Sequence, residues 1–494
     1  MHYYLFAFVA FISYIVYKYY IYPLYLSPLC KIPGPPVESF ILGHYHSFLS
    51  KQIGEASSRF AKQYGGIVRY YGLLNRPHLL IADQKIIQQV MINHAYEYPK
   101  HFLSIEAIQD FAGPHSILFV NKDSHKRQRK MMQPSFSFAN VKEMFPTFVQ
   151  AGHNLKDIWM EQIGNKKVER VSITDMVPKI TLDVIGIVGF NYEFNSTKTT
   201  TELADAYTTV VMRNPSQVYE TFEGFFPFIK NLPTTHNRRY NNAIKVIHNA
   251  SAKLVDEKKN ATVLGKDLLS LLVKANEKLP IDEQLTHDEL LSQVMTLLFA
   301  GHETTSTALS WVLYFLAKHP DAQDRLRKEI LDVLTDRDQM PTFDELEHLN
   351  YLECVFKETL RMVPPVPALF RSTSKDEVMN GYVVPKGTPM LIGIYAIHHD
   401  PSIWGDDADQ FNPSRWLDPV IKSKVTNSNF LPFSAGPKSC LGMKMAYLEF
   451  KAILSVIIRN FEFKLVEGFN FEMKLVGFSK PNPGIDLLIS KVDY

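Results

Sequence analysis

The stretch FSAGPKSCLG, from Phe433 to Gly442, holds one of the three cysteines in a chain of 494 residues. Its glycines, proline and lysine permit several readings, and the choice among them decides the fold. A phosphate loop needs the pattern G-x-x-x-x-G-K-[ST]. Here Lys438 follows Gly436 by two residues and position 431 is Leu431, so that reading fails. A redox C-x-x-C pair fails as well, because Pro437 and Met443 stand where a second cysteine is required. A lone thiolate survives. Cys440 lies just ahead of a strongly helical run, MKMAYLEFKAILSVIIRNF. The free N–H groups at a helix start stabilise a thiolate and lower its pKa. Gly436 and Gly442 would let the backbone approach a large planar ligand closely. Spacing alone leaves two readings open: a metal-ligating thiolate, and a buried structural cysteine in a turn.

Composition narrows the setting. Hydrophobic residues make up 46% of the chain and charged residues 21%, ordinary for a globular protein. The net charge of +2 supplies no general drive toward nucleic acid, so any basic partner surface must be local. Cys30, Cys354 and Cys440 are too few and too scattered for a disulfide scaffold or a structural zinc site. The run YYLFAFVAFISYIVYKYYIY, Tyr3 to Tyr22, carries Lys18 as its sole charge. Twenty residues at ~1.5 Å each give ~30 Å, one bilayer core. No basic leader region or small-x-small cleavage site marks it for removal. The expected organisation is a membrane anchor over 1–22, a proline-stiffened hinge over 23–36 containing KIPGPP, and one continuous body over 37–494. Lys18 and Lys31 favour a cytosolic body, and the sequons at Asn195, Asn249 and Asn260 are read as chance.

The longest helix starts at a capping box, Thr286 with Glu289, and runs to Pro320. It is apolar nearly all round and should be buried. Midway stands AGHETT, Ala300 to Thr305. A zinc-protease H-E-x-x-H is excluded by Ser306. What remains is either an acid–alcohol pair passing protons to a ligand or a satisfied polar patch, with Thr304 bonded to the carbonyl four residues earlier. Glu358 and Arg361 share a helix face, and FNPSRW adds Arg415. They read as a surface pair or as a buried cluster. HKRQRK, His125 to Lys130, reads as a solvated basic face, a dock for an acidic partner, or a carboxylate-binding site.

Taken in order, these motifs resemble the cytochrome P-450 superfamily, the haem-thiolate monooxygenases, in its eukaryotic membrane-anchored form. FSAGPKSCLG is similar to the cysteine-ligand signature F-x-x-G-x-R-x-C-x-G, AGHETT to the oxygen-activation motif, ETLR to E-x-x-R, and FNPSRW to the P-E-R-F region. The resemblance implies a mainly α fold with a smaller β-rich part and a long central helix over haem b. It makes Cys440 the thiolate ligand of the iron, with Phe433 packed near the sulfur. Thr304 and Glu303 become the proton-delivery pair, and Ala300 and Gly301 leave room for dioxygen. Glu358, Arg361 and Arg415 become a structural cluster. His125, Arg129, Arg371 and Lys438 become partners of the haem propionates, alongside the loop glycines Gly436 and Gly442.

Two positions depart from the family pattern. Lys438 replaces an arginine and loses its bidentate fork, and His125 stands where tryptophan is frequent. The implied partners are NADPH-cytochrome reductase, cytochrome b5 as a second donor, dioxygen, a lipophilic small molecule and the endoplasmic reticulum membrane, with the catalytic domain facing the cytosol and no nucleic acid. The pocket is expected along 102–119, Val363 to Leu369, and the turn near Phe478. Two alternatives stay open: a reductase-independent isomerase or dehydratase of peroxides, and a non-catalytic haem binder.

Overall fold

A computed structural model describes residues 2–49, 52–101, 105–199, 201–211, 227–476 and 478–492 of the chain. The first part of the expected pocket loop, residues 102–104, lies outside them. Helix α1 (His2–Val16) continues in wider π-helical turns over Tyr17–Leu26, past the expected end at Tyr22 and through Pro23. It is long and apolar enough to cross a membrane, and nothing in its most apolar window is buried. The segment after it is docked. Leu29 and Ile32 are buried, and the Arg69 N–H donates to the Pro33 carbonyl at 2.8 Å. A Cβ on Gly34 would stand 2.0 Å from the Arg69 carbonyl oxygen, so only glycine fits there.

The helices that position the site follow in chain order: α2 (Lys122–Met132), α3 (Phe138–Ile163), α4 (Ile173–Phe190), α5 (Glu202–Val211), α6 (Leu268–Glu277), α7 (His287–Lys318), α8 (Asn350–Met362) and α9 (Met443–Asn460). The central helix α7 has 32 residues and so spans about 48 Å. Its capping box is formed in both directions, with the Thr286 side chain on the Glu289 N–H and the Glu289 carboxylate on the Thr286 N–H. Glycine sets how closely α7 meets α4: a Cβ on Gly301 would lie 2.7 Å from Ile185. Gly152 does the same between α3 and α9, where a Cβ would lie 3.2 Å from Ile453 and Val456. Leu268, Leu269, Leu272 and Val273 of helix α6 are buried in the main core. Four leucines and a valine over ten residues make a stripe that burial stabilises more than solvent does.

The strands are short and lie at the edges of the helical body. They are β1 (Ile67–Tyr71), β2 (Pro77–Ile81), β3 (Glu169–Ser172), β4 (Leu369–Ser372), β5 (Glu377–Met379), β6 (Tyr382–Val384), β7 (Pro389–Ile392), β8 (Phe461–Leu465), β9 (Glu472–Val476), β10 (Phe478–Asn482) and β11 (Asp486–Lys491). The largest sheet has the order β1-β2-β7-β4, with β2 and β7 parallel. A second sheet, β3-β11-β8, ties the chain's end to the start of α4. The hairpin β9–β10 pairs Phe478 with Val476 and reaches back to α7. The mainly α architecture with a smaller β part is the one expected.

Candidate active site

The turn that carries Cys440 is built by backbone geometry. Ser434 and Gly436 have φ of 62° and 66°, the left-handed region that reverses the chain. The Cys440 N–H closes the turn by donating to the Phe433 carbonyl at 2.9 Å. The ring of Phe433 stacks over Phe356 of α8, which packs in turn on Phe450 of α9. The glycines divide their work. A Cβ on Gly436 would fall 2.2 Å from the Met91 carbonyl oxygen, so the packing of Gln88–Asn93 against the turn requires glycine there. Gly442 lies beside the thiol, where a Cβ would meet only Sγ, at 3.9 Å.

Cys440 is exposed at the start of α9, unlike Cys354, which is buried. The surrounding protein pushes its thiol up by more than the Gly442 N–H and the Arg129 guanidinium pull it down, so the free thiol lies above its ordinary value. A cation, a donated N–H and a helix N-terminus all favour the sulfur as an anion. That is the donor chemistry of a thiolate metal ligand.

Around this turn converge five basic groups from four parts of the chain. Arg129 of α2 donates to the Ser439 carbonyl and, at 3.2 Å, to its hydroxyl. Lys438 donates to the Tyr98 carbonyl at 2.9 Å. Arg371 of β4 is buried, and its Nε has no partner among the described residues. His125 is buried with Nδ1 3.2 Å from the Tyr96 hydroxyl. The fifth group, Lys100, was not foreseen. It bridges to Arg371 in the backbone and donates to the Ile117 carbonyl at 2.5 Å.

These groups destabilise one another's charge. Burial, with the neighbouring cations Lys100, Lys438, Arg129 and Arg371, presses His125 down to about 3, so it is neutral. Burial, then Arg371, brings Lys438 down to about 7. Lys100 falls well below its ordinary value through burial and then Arg371, Lys438 and Arg129. Arg371 is brought to about 10 by burial. Among the described residues none of the four cations is paired with a carboxylate. Such a cluster is complete only with an anion, and a macrocycle bearing two carboxylates beside a thiolate-ligated metal meets that demand. The residues present therefore fit haem. A lone lysine 338 positions before Lys438 gives no sequence signal, so Lys100 could be found only from the fold.

On α7 the polar patch is satisfied within the helix and its neighbours. The Thr304 hydroxyl donates to the Ala300 carbonyl at 2.8 Å, the back-bonded arrangement that the sequence had left open. A Cβ on Gly301, the glycine expected to leave room for dioxygen, would meet Ile185 of α4, so the close packing of the two helices already requires glycine there. Glu303 is buried and forms an ion pair with Lys480 of β10. Its other oxygen lies 3.1 Å from His302 Nε2. Burial raises this carboxyl, but Lys480 and His302 outweigh it and hold it down at about 2. Nearby, Phe111 and Phe478 both pack on Phe299 of α7, with ring centroids 4.7 Å and 5.1 Å away. The described parts of two expected pocket segments thus meet over the central helix.

Glu358, Arg361 and Arg415 are all buried and form one cluster. On the side where α9 begins, a cleft of about 660 Å³ is lined by Tyr96, Lys126, Arg129, Lys130, Phe138 and Lys444, among others. Arg127, expected on this basic face, is captured elsewhere. It pairs with Glu289 and donates to the Gln284 carbonyl at 2.8 Å, tying α2 to the start of α7.

Glu449 of α9 is buried beside Thr305, and burial raises its carboxyl well above the ordinary 4.5. A raised acid contributes stability below its unfolded pKa and loses it as pH rises through the folded pKa. Glu449→Gln should therefore leave the melting temperature unchanged near pH 3.5, below the unfolded value, and raise it near pH 8. A lower melting temperature at pH 8 would contradict this.

A family model for cytochrome P-450 matches residues 33–489. The chain is 33% identical to cytochrome P-450 monooxygenase 205 of Postia placenta, over 89% of this chain and 87% of the relative. It is 32% identical to cytochrome P-450 monooxygenase 128 of the same organism, over the same shares of 89% and 87%. It is 28% identical to the ganoderic acid synthetase of Ganoderma lucidum, over 93% and 92%.

Proposed function

The chain belongs to the cytochrome P-450 family, and from that premise we propose a membrane-anchored enzyme that oxidises a lipophilic small molecule with electrons from NADPH, delivered by a flavoprotein reductase. Membership itself makes it a haem-thiolate monooxygenase with haem b as cofactor. When bound, haem b supplies the iron at which dioxygen is cleaved, one atom entering the substrate by hydroxylation or epoxidation and the other leaving as water. The observation that carries the reading is Cys440 at the start of α9, set among cations that have no carboxylate partner among the described residues.

Each residue then has a task. Cys440 holds the iron as a thiolate, with Phe433 packed alongside. Arg129, Arg371, Lys438 and Lys100 hold the cofactor's carboxylates, and neutral His125 adds one hydrogen bond at most. Glu303 and Thr304 move protons inward. The Thr304 hydroxyl must leave the Ala300 carbonyl to do so, a local rotation about χ1. Phe111, Phe299 and Phe478 exclude water and suit an apolar substrate. An intact acid–alcohol pair favours a monooxygenase over a reductase-independent peroxide isomerase or dehydratase.

The body over 37–494 is held at the endoplasmic reticulum membrane, facing the cytosol, by the anchor over 1–22 and the segment 23–36. Lys126, Lys130 and Lys444 form the dock for an acidic reductase, with cytochrome b5 as a second donor. Opposite charges steer association and are screened over ~10 Å at 0.1 M salt. Stopped-flow reduction of the haem-loaded enzyme by NADPH and reductase should slow as salt rises. Lys130→Glu combined with Lys444→Glu should lower the association rate about tenfold at low salt. Salt-independent reduction would remove the dock, and turnover of a lipid hydroperoxide without reductase would replace the monooxygenase reading.

A further inference from the structure

Strand β10 makes three consecutive contacts. Phe478 packs on Phe299, the ring that also meets Phe111. Ser479 is clamped: its hydroxyl donates to the Pro364 carbonyl at 2.7 Å, its N–H to the Pro365 carbonyl at 3.0 Å, and its carbonyl accepts from Trp311 Nε1 at 2.7 Å. Lys480 pairs with Glu303. Side chains two apart on a strand share a face, so Phe478 and Lys480 both face α7 while Ser479 holds the strand between them. The pocket-lining ring and the ammonium that grips Glu303 are thus parts of one rigid piece.

The grip has a chemical consequence. Insertion of one oxygen atom consumes two electrons and two protons: substrate, dioxygen, two electrons and two protons give oxidised substrate and water. The electrons come from NADPH through the reductase, and the protons from solvent. Glu303 can pass a proton only if its carboxylate first takes one up, and it gives that proton on, so the residue itself returns unchanged. Bound to Lys480 it is held as the anion. The charged and titratable groups facing it are His302 on its own helix, Lys480 from β10 and Tyr207 from α5, whose ring lies 5.3 Å from that of His302. Among the described residues the buried Tyr207 hydroxyl has no hydrogen-bond partner.

We propose that Lys480 is a positioning residue that latches Glu303 as a carboxylate, and that β10 links this latch to the pocket, so that displacement of Phe478 by a bound substrate loosens the pair and frees Glu303 to relay protons. This rests on the monooxygenase reading above.

The test is an infrared titration of the Glu303 carboxyl in the haem-loaded protein, its band assigned by loss in Glu303→Gln. Lys480→Met should raise the titration midpoint by about 1–3 units, the usual effect of losing an adjacent cation. Lys480→Arg should restore the wild-type midpoint, which a merely structural role for the side chain would not predict. Phe478→Ala, which removes the ring contact with Phe299 and leaves Lys480 in place, should move the midpoint upward by a smaller amount. An unmoved midpoint in Lys480→Met overturns the latch. A moved midpoint there with none in Phe478→Ala overturns the link to the pocket. The carbon monoxide spectrum of each reduced variant separates these failures from that of the underlying reading. If the wild-type protein lacks the thiolate band, the monooxygenase reading falls. If the band is present and the midpoint is unmoved, only the latch falls.

Discussion

Cys440→Ser abolishes the thiolate-type carbon monoxide band of the reduced protein and reduces NADPH-driven turnover to background. A serine hydroxyl is far too weak an acid for the Gly442 N–H, the α9 N-terminus and Arg129 to hold it as an anion. It keeps the size of the side chain while removing the charged sulfur donor. The remaining cysteines cannot substitute. Cys354 is buried, and burial pushes its thiol up. Cys30 Sγ lies 3.4 Å from the Pro23 carbonyl, in the segment after α1. Cys30→Ser should therefore keep the full band. The measurement is the reduced, carbon monoxide-bound difference spectrum of each purified variant. A band that persists in Cys440→Ser would refute the ligand assignment and with it the function proposed.

Glu358→Ala leaves little folded protein. The Glu358 carboxylate accepts from Arg361 Nε at 2.9 Å and a terminal nitrogen at 2.8 Å, from Arg415 Nε at 3.0 Å, from the Asn412 N–H at 2.9 Å and from Trp416 Nε1 at 2.9 Å. Removing it strands the Arg361 guanidinium and leaves Arg415 with Asp407 alone, both guanidinium groups being almost fully buried. Breaking a buried pair this way costs about 3–5 kcal/mol, set against a total stability of about 5–15 kcal/mol for a domain. Arg361→Lys should also destabilise, because Arg361 further donates to the His398, Ala408 and Gln410 carbonyls, and one ammonium cannot span that fork. By contrast, Lys62→Ala at the exposed pair with Asp409 should cost under about 1 kcal/mol. Denaturant midpoints and the yield of haem-loaded protein decide the matter. Wild-type values for Glu358→Ala would show the cluster to be dispensable.

The sequence alone determined the features written in local chemistry. The Thr286–Glu289 capping box, the stop at Pro320, the apolar span of α7, the turn before α9 and the thiol within it are all set by residues a few positions apart. Backbone hydrogen bonding and hydrophobic period act over that range, so they are legible in one dimension. Whether Glu358 and Arg361 make a surface pair or a buried cluster depends on the placement of Arg415 and Trp416, more than fifty residues away in the chain. Only the tertiary structure decided that.

It decided other points in the same way. Lys100 joins the cations around Cys440, and Lys444 joins the cleft. Arg127 leaves the basic face for Glu289. Glu303 belongs to Lys480 on a strand from the far end of the chain. Gly301 and Gly436 have no room for a side chain beside Ile185 and the Met91 carbonyl. Each depends on which groups end up within a few ångströms, and Coulomb and steric energies follow that distance without regard to sequence separation. For FSAGPKSCLG the local chemistry specified the thiol and its helix. The cations that complete the site around it were assembled by the fold.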